Sequence, residues 1–312
     1  MNQLIREIID AVGEVLLGKE KQVKLALTCL FAKGHLLIED LPGMGKTTLS
    51  QCLAQVLGLS HERVQFTSDL LPADILGVSI FDRESNRFEF HSGPVFTQVL
   101  LADEINRTTP KTQSALLEAM EERQVTVEGE TRALPQPFFV IATQNPLTQA
   151  GTYPLPESQL DRFLMRISLG YPDRASERQL FNGVDPRARL KDFKPRITLE
   201  QLEAIQDKVN EVKATDQLLD YLQRVVDFTR ADSSFTWGLS PRGAIALLRA
   251  AKAWALIHNR THVVPEDLQM VMPCVVAHRV KGAHTFSKDV NASQDNALVA
   301  HIIEHVDVVK AA

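Results

Sequence analysis

The chain has 312 residues, 44% of them hydrophobic and 23% charged, a balance ordinary for a soluble chain of one large or two modest domains with ample material for a core. Thirty-four basic residues against thirty-nine acidic ones leave a net charge of -5, which excludes the overall positive footprint of a sequence-blind nucleic-acid binder while leaving room for a local basic patch. No apolar run approaches the roughly 18 residues of a membrane span and the N-terminus mixes charges from the start, so neither signal peptide nor anchor is expected and the cytoplasm is the default address.

Short apolar runs alternate with helical periodicity through the first half, the pattern of a parallel sheet between helices. Strands are expected at His35 to Glu39, Arg63 to Thr67, Val99 to Asp103, Phe138 to Thr143 and Leu164 to Leu169. After the first strand, Leu49, Cys52, Leu53, Val56 and Leu57 repeat at helical spacing and stop at Gly58. Two hairpins are legible: Val78 to Asp82 with Arg87 to His91 around Glu84-Ser85-Asn86, and Val125 and Val127 returning through Thr131 to Leu134. From about Ser176 the pattern becomes helical. Thr198 with Gln201 makes a capping box, and Ser240-Pro241 supplies an N-cap with proline at the first helical position. Asn182 to Pro195, rich in Pro, Arg, Lys and Asp, is the expected linker and hinge. Cys29, Cys52 and Cys274 are few, distant and odd in number, which suits reduced core thiols better than a disulfide or zinc framework.

Leu41-Pro42-Gly43-Met44-Gly45-Lys46-Thr47-Thr48 lies between the first strand and its helix. There, backbone N–H groups and the helix dipole converge on a place where a polyphosphate can lie. Lys46 would reach the β and γ phosphates, Thr47 offers a hydroxyl to Mg2+, and Gly43 and Gly45 let the backbone approach oxygen atoms. The first glycine of the usual G-x-x-x-x-G-K-[ST] pattern is replaced by Asp40, whose carboxylate would repel phosphate and is therefore expected to point away. The strand Val99-Leu100-Leu101-Ala102-Asp103-Glu104 ends in two acids that alternation sends to opposite faces. Asp103 is the candidate for hydrated Mg2+, and Glu104 for polarising the attacking water.

Further elements follow in the order of an AAA+ ATPase. The strand that ends at Asn145-Pro146 resembles sensor 1, Arg162 in Leu155-Pro-Glu-Ser-Gln-Leu-Asp-Arg-Phe163 stands where the superfamily keeps its arginine finger, and Gly238-Leu-Ser-Pro-Arg242 resembles sensor 2. Arg242 opposes the dipole at the start of a helix, a placement that asks for an anionic partner. More narrowly, the chain resembles the MoxR family through Phe66-Thr-Ser-Asp-Leu-Leu-Pro-Ala-Asp-Ile-Leu-Gly77, Gly93-Pro-Val-Phe96, Ala102-Asp-Glu-Ile-Asn-Arg107, Gln113 to Glu122 and Pro154 to Phe163.

The resemblance implies an α/β fold: an AAA+ P-loop three-layer sandwich with a parallel five-stranded sheet in the order 5-1-4-3-2, β-hairpin insertions and an all-helical lid. The expected division is an ATPase core over 1–175, a linker over 176–195 and the lid over 196–312. The implied cofactors are ATP and Mg2+, completed at subunit interfaces of a homo-oligomeric ring, a hexamer, by Arg162 and Arg242 acting on a neighbour's nucleotide, with Arg107 a further interface candidate. Val15-Leu-Leu-Gly18-Lys19 resembles the loop that packs against adenine, and the two hairpins would face a pore or client. Relatives work as chaperone-like remodellers of protein complexes, some in metal or cofactor insertion, with a separate von Willebrand factor A domain partner. Two other readings stay open: a DNA-associated motor, against which the acidic balance stands, and a nucleotide-gated scaffold with little turnover, against which Glu104 and Asn145 stand.

Overall fold

The computed structural model describes residues 1–145, 151–182, 190, 193–283 and 292–309. Residues 183–189 and 191–192 of the expected linker, and Pro146 beside Asn145, lie outside the described residues. The chain opens with α1 (Asn2–Val15) and α2 (Glu20–Phe31), then β1 (His35–Glu39), α3 (Lys46–Val56) and β2 (His61–Gln65). The short α4 (Pro72–Leu76) leads into a hairpin of β3 (Gly77–Asp82) and β4 (Arg87–Ser92), and the chain returns through β5 (Val99–Asp103) and α5 (Pro110–Glu122). A second hairpin, β6 (Gln124–Val127) with β7 (Glu130–Ala133), precedes β8 (Phe139–Gln144), α6 (Glu157–Leu160), β9 (Phe163–Ile167) and α7 (Arg174–Phe181).

All four neighbour pairs of the central sheet are parallel, in the order β2-β5-β8-β1-β9. Numbered by sequence, that is the expected 5-1-4-3-2. The inner strands are apolar without a break because helices cover both faces: β5 is buried at every position and β1 at Leu36, Leu37 and Ile38. Alternation divides the side chains between two cores. Leu36, Ile38, Val99, Leu101 and Ile141 join the cluster with α1, α2 and α3, while Leu37, Leu100, Ala102, Val140 and Ala142 pack with Leu116, Leu117 and Met120 of α5. β2 sits at the sheet's edge, and its residues are exposed or half-buried.

The remainder is α8 (Leu199–Glu211), α9 (Asp216–Ala231), β10 (Phe235–Trp237), α10 (Pro241–Ile257), α11 (Pro265–Val275), β11 (Lys281–Gly282) and α12 (Ala292–His305). Both expected helix starts are present: Thr198 and Gln201 cap α8 reciprocally, and Ser240 accepts from the amide of Gly243. One detail departs from the sequence pattern, since β10 and β11 pair as a small antiparallel ribbon among the helices. Three residues facing two are too short for alternation to reveal. The first apolar cluster runs from α1–α3 into α8–α11, so these helices share a core with one face of the sheet. Among the described residues no helix is long and apolar enough to cross a membrane.

Cys29 and Cys52 are buried, and burial pushes the Cys29 thiol far up and that of Cys52 up to about 12. Cys274, half-buried, is also pushed to about 12. Thiolate, the reactive form, is therefore scarce at all three. Native protein at pH 8 should resist a thiol-titrating disulfide and release three equivalents only on denaturation. Rapid reaction of Cys29 or Cys52 in the folded chain would contradict this burial.

Candidate functional site

The loop between β1 and α3 is shaped by two glycines in the left-handed region, Gly43 (φ 86) and Gly45 (φ 93). Among the described residues, no atom beyond the glycine and its two chain neighbours lies within 4 Å of the position a Cβ would take at either, so an oxygen can approach the backbone there. Leu41 and Met44 are half-buried, Pro42 and Gly43 exposed, and Thr48 is buried behind Thr47 in the first turn of α3. Lys46 begins α3 and is 8% exposed. Its ammonium donates to the Asp40 carbonyl at 2.7 Å and to Asn145 Oδ1 at 3.2 Å. Burial lowers its pKa, opposed by the carboxylates of Asp103, Asp40 and Glu104. Both acceptors are neutral oxygens, which an anionic phosphate outcompetes. Asp40 turns its carboxylate away from this space, towards the amides of Leu169 at 2.6 Å and Gly170 at 2.7 Å.

β5 delivers the two acids from the strand beyond β8. Asp103 Oδ1 accepts from Thr143 Oγ1 at 2.6 Å and its Oδ2 from Arg63 at 2.7 Å. Glu104 lies in the left-handed region (φ 57, ψ 48), a conformation costing about 1 kcal/mol in a residue with a Cβ. It is held there because Thr143 Oγ1 accepts its amide at 2.9 Å. The turn that follows is tied down by Gln113, fully buried, whose amide donates to the carbonyls of Ile105, Thr108 and Tyr153. The Glu104 carboxylate then accepts from Asn145 Nδ2 at 3.2 Å, Gln65 Nε2 at 3.0 Å and Arg107 Nε at 2.9 Å. Lys46, Asp103, Glu104 and Asn145 thus meet at the C-terminal ends of β1, β5 and β8, where open parallel sheets bind ligands.

Thr47 and Asp103 offer hard oxygen donors suited to Mg2+, an ion that keeps most of its waters and leans on phosphate oxygens. Among the described residues no group of three or more His, Cys, Asp or Glu could hold a metal. The donors present fit an ion brought with a nucleotide.

Arg162 and Arg242 do not join this group. Arg162 precedes β9, whose Phe163 is in register with His35 at the start of β1, so it sits at the opposite end of the sheet from Lys46. A five-residue strand separates the two ends by roughly 15 Å. Arg162 pairs with Glu121 Oε2 at 3.0 Å and Arg242 with Glu121 Oε1 at 3.2 Å, so one carboxylate bridges the two cations. The adjacent Asp161 is taken by Arg279 at 2.7 Å and by Arg242 at 3.6 Å, so the obvious neighbour is not Arg162's partner. These arginines line a cavity of about 400 Å³ to which Lys33, Arg123, Arg249 and Arg279 add cations, with Glu121 and Asp161 the acids among the described lining residues. Such a cavity favours an anion.

Arg63, Gln65, Thr143 and Arg279 are absent from the site residues expected on sequence. β2 pairs with β5 so that Gln65 stands opposite Asp103, which brings Arg63 and Gln65 to the two acids. Their signal was alternation on one face of the strand next to the acidic one, and it becomes readable only when the strand order is known.

Lys46, Asp103, Glu104, Asn145 and Arg162 fall within a region, 35–165, that matches the model of the ATPase family associated with various cellular activities (AAA), and residues 227–302, which include Arg242, match an AAA lid domain. The chain is 44% identical to the uncharacterized protein YeaC of Bacillus subtilis (strain 168), covering 99% of this chain and 96% of that one. It is 39% identical to Chaperone MoxR1 of Mycobacterium tuberculosis (strain ATCC 25618 / H37Rv), over 88% of this chain and 75% of the relative. A solved chain from Cytophaga hutchinsonii ATCC 33406, proposed to be an ATPase, superposes with a TM-score of 0.87 at 37% identity, covering 99% of this chain and 96% of that one. Phosphate loop, paired acids, polar strand end, sheet order and these likenesses agree: the chain belongs to the MoxR family of AAA+ ATPases and hydrolyses ATP.

Proposed function

We propose that the chain works as one subunit of a ring, a hexamer, in which each ATP lies at a seam between two copies and its hydrolysis drives remodelling or maturation of a protein complex. The observation that carries this reading is the separation of the two halves of the site. Lys46, Asp103, Glu104 and Asn145 gather at one end of the sheet, and Arg162 and Arg242 gather around Glu121 at the other. A single subunit leaves the arginines too far from its own phosphate loop, whereas a head-to-tail neighbour brings them to it.

In this arrangement Lys46 and the loop amides bind the phosphates, and Thr47 and Asp103 hold hydrated Mg2+. The ion, when bound, offsets charge on the phosphate oxygens. Glu104 accepts a proton from, or orients, the attacking water, and Asn145 fixes Glu104 while touching the lysine. Arg162 and Arg242 stabilise the charge that develops on the transferred group. Glu121, which binds both arginines in the lone subunit, gives them up to the neighbour's phosphates. Regions 1–175, 176–195 and 196–312 serve as ATPase core, linker and lid, and the cytoplasm is the working compartment.

The client-facing surface, in this reading, is the hairpin pair. Phe81 and Phe88 stack edge to face at 5.3 Å on β3–β4, yet Phe88 is 70% exposed. Arg132 of β7 lies 3.9 Å over the ring of Phe90, joining the two hairpins into one surface. The named chaperone relative supports a protein client, and a separate von Willebrand factor A domain protein is the expected partner. ATP turnover per subunit should rise with protein concentration through the range where rings assemble and then level off. A flat specific activity across that range, followed by light scattering, would remove the shared site.

A further inference from the structure

The residue that replaces the usual first glycine and the lysine after the α1–α2 turn grip the same piece of chain. Asp40 is 7% exposed, and besides the Leu169 and Gly170 amides its Oδ2 accepts from Ser168 Oγ at 3.2 Å, while Oδ1 accepts from the Leu41 amide at 2.9 Å. Lys19 is 5% exposed. Its ammonium donates to the carbonyls of Leu169 at 2.8 Å and Gly170 at 2.9 Å, and to that of Tyr171. The strap 168–171 after β9 is therefore held by its amides from one side and by its carbonyls from the other.

Asp40 also belongs to the phosphate loop. Its amide donates to Gln144 at 3.2 Å, and its carbonyl is the resting acceptor of Lys46. The Lys19 end is equally fixed. Gly18 (φ 68) lies against α7, where a Cβ would stand 2.5 Å from Asp173 Oδ2, and Asp173 caps that helix through the Ser176 amide at 2.8 Å. Burial lowers the pKa of Lys19, opposed by Asp40 and Asp173. Buried charges cost stability unless every hydrogen bond is made, and here they are spent mostly on backbone, with the Ser168 hydroxyl, rather than on each other.

We infer that Lys19 and Asp40 are a pair of positioning residues that fasten the start of the phosphate loop to the strap after β9 and so hold the loop in its nucleotide-binding shape. This rests on the reading that Leu41–Thr48 binds the phosphates. It gives an outcome opposite to pattern matching: Asp40→Gly restores the common motif and nevertheless weakens binding.

The test compares the wild-type chain with Lys19→Met, Asp40→Asn, Asp40→Gly, the Lys19→Met/Asp40→Asn double variant and Lys19→Arg. Fluorescent ADP gives Kd, steady-state hydrolysis separates KM from kcat, and amide exchange reports on 168–171. Each of the first three should weaken ADP binding by about tenfold or more, as expected for losing a buried charge-assisted hydrogen-bonded group, with the loss falling on KM more than on kcat. The double variant should be no worse than the weaker single within about twofold, because both act through one strap. Lys19→Arg, still a donor to carbonyls, should recover most of the affinity, and 168–171 should exchange faster in the weakened variants. An unchanged Kd in Lys19→Met and Asp40→Asn, even with a lower melting temperature, would overturn the pairing, as would strictly additive losses. If the wild-type chain bound no ADP, the phosphate-loop reading would fail separately; wild-type exchange of 168–171 in Lys19→Met would then sink the clamp on its own.

Discussion

Arg162→Ala is expected to lower ATP turnover about a thousandfold or more while leaving nucleotide affinity within about threefold, read as kcat from phosphate release and Kd from a fluorescent nucleotide. A cation that meets full negative charge only in the transition state affects the chemical step and not ground-state binding. The proposed phosphate grip of the same subunit should be untouched, since Lys46 and its loop lie at the other end of the sheet. Nor should the fold suffer, because the pair with Glu121 is part-exposed and worth at most about 1 kcal/mol. Glu121 keeps Arg242 when Arg162 is gone. Turnover at the wild-type rate would take Arg162 out of the site.

The second large effect belongs to Glu104→Gln, which should bind ATP and retain it while turnover falls by about 10²- to 10⁴-fold. The amide keeps an acceptor for Asn145 but places an NH2 group where Gln65 and Arg107 now donate. It also lacks the basicity to take a proton from water. Nucleotide that stays with the protein through gel filtration, with little phosphate released, is the expected readout. Full turnover would assign the water to another residue and leave Glu104 as a structural anchor for Asn145.

What the sequence made legible was whatever repeats locally. The inner strands are uninterrupted apolar runs, and β1 and β5 fall at the expected residues, His35–Glu39 and Val99–Asp103. The edge strand β2 starts two residues earlier than expected, at His61, because its exposed positions give no apolar boundary. Asp40 was rightly expected to turn away on electrostatic grounds, but where it turns depends on Leu169 and Gly170, far along the chain. Arg162 stands next to Asp161 in the chain, yet adjacency does not decide its contact. Tertiary packing gives Asp161 to the buried Arg279 of the last turns after α11 and Arg162 to Glu121, the penultimate residue of α5. Hydrogen-bond partners brought together by strand order, such as Gln65 with Glu104, leave no local mark for a reader of sequence.

The most direct test of the seam mixes two inactive proteins. In the proposed ring Lys46→Ala would lack the phosphate grip and Arg162→Ala the trans cation, and neither should turn over ATP alone. In a mixed ring a seam that takes Lys46 from one variant and Arg162 from the other is complete, so equal amounts should recover about a quarter of wild-type activity per subunit by random assembly. Mixed rings, verified by co-purification of one tagged variant with the other, that stay as inactive as their parents would contradict a site shared between copies.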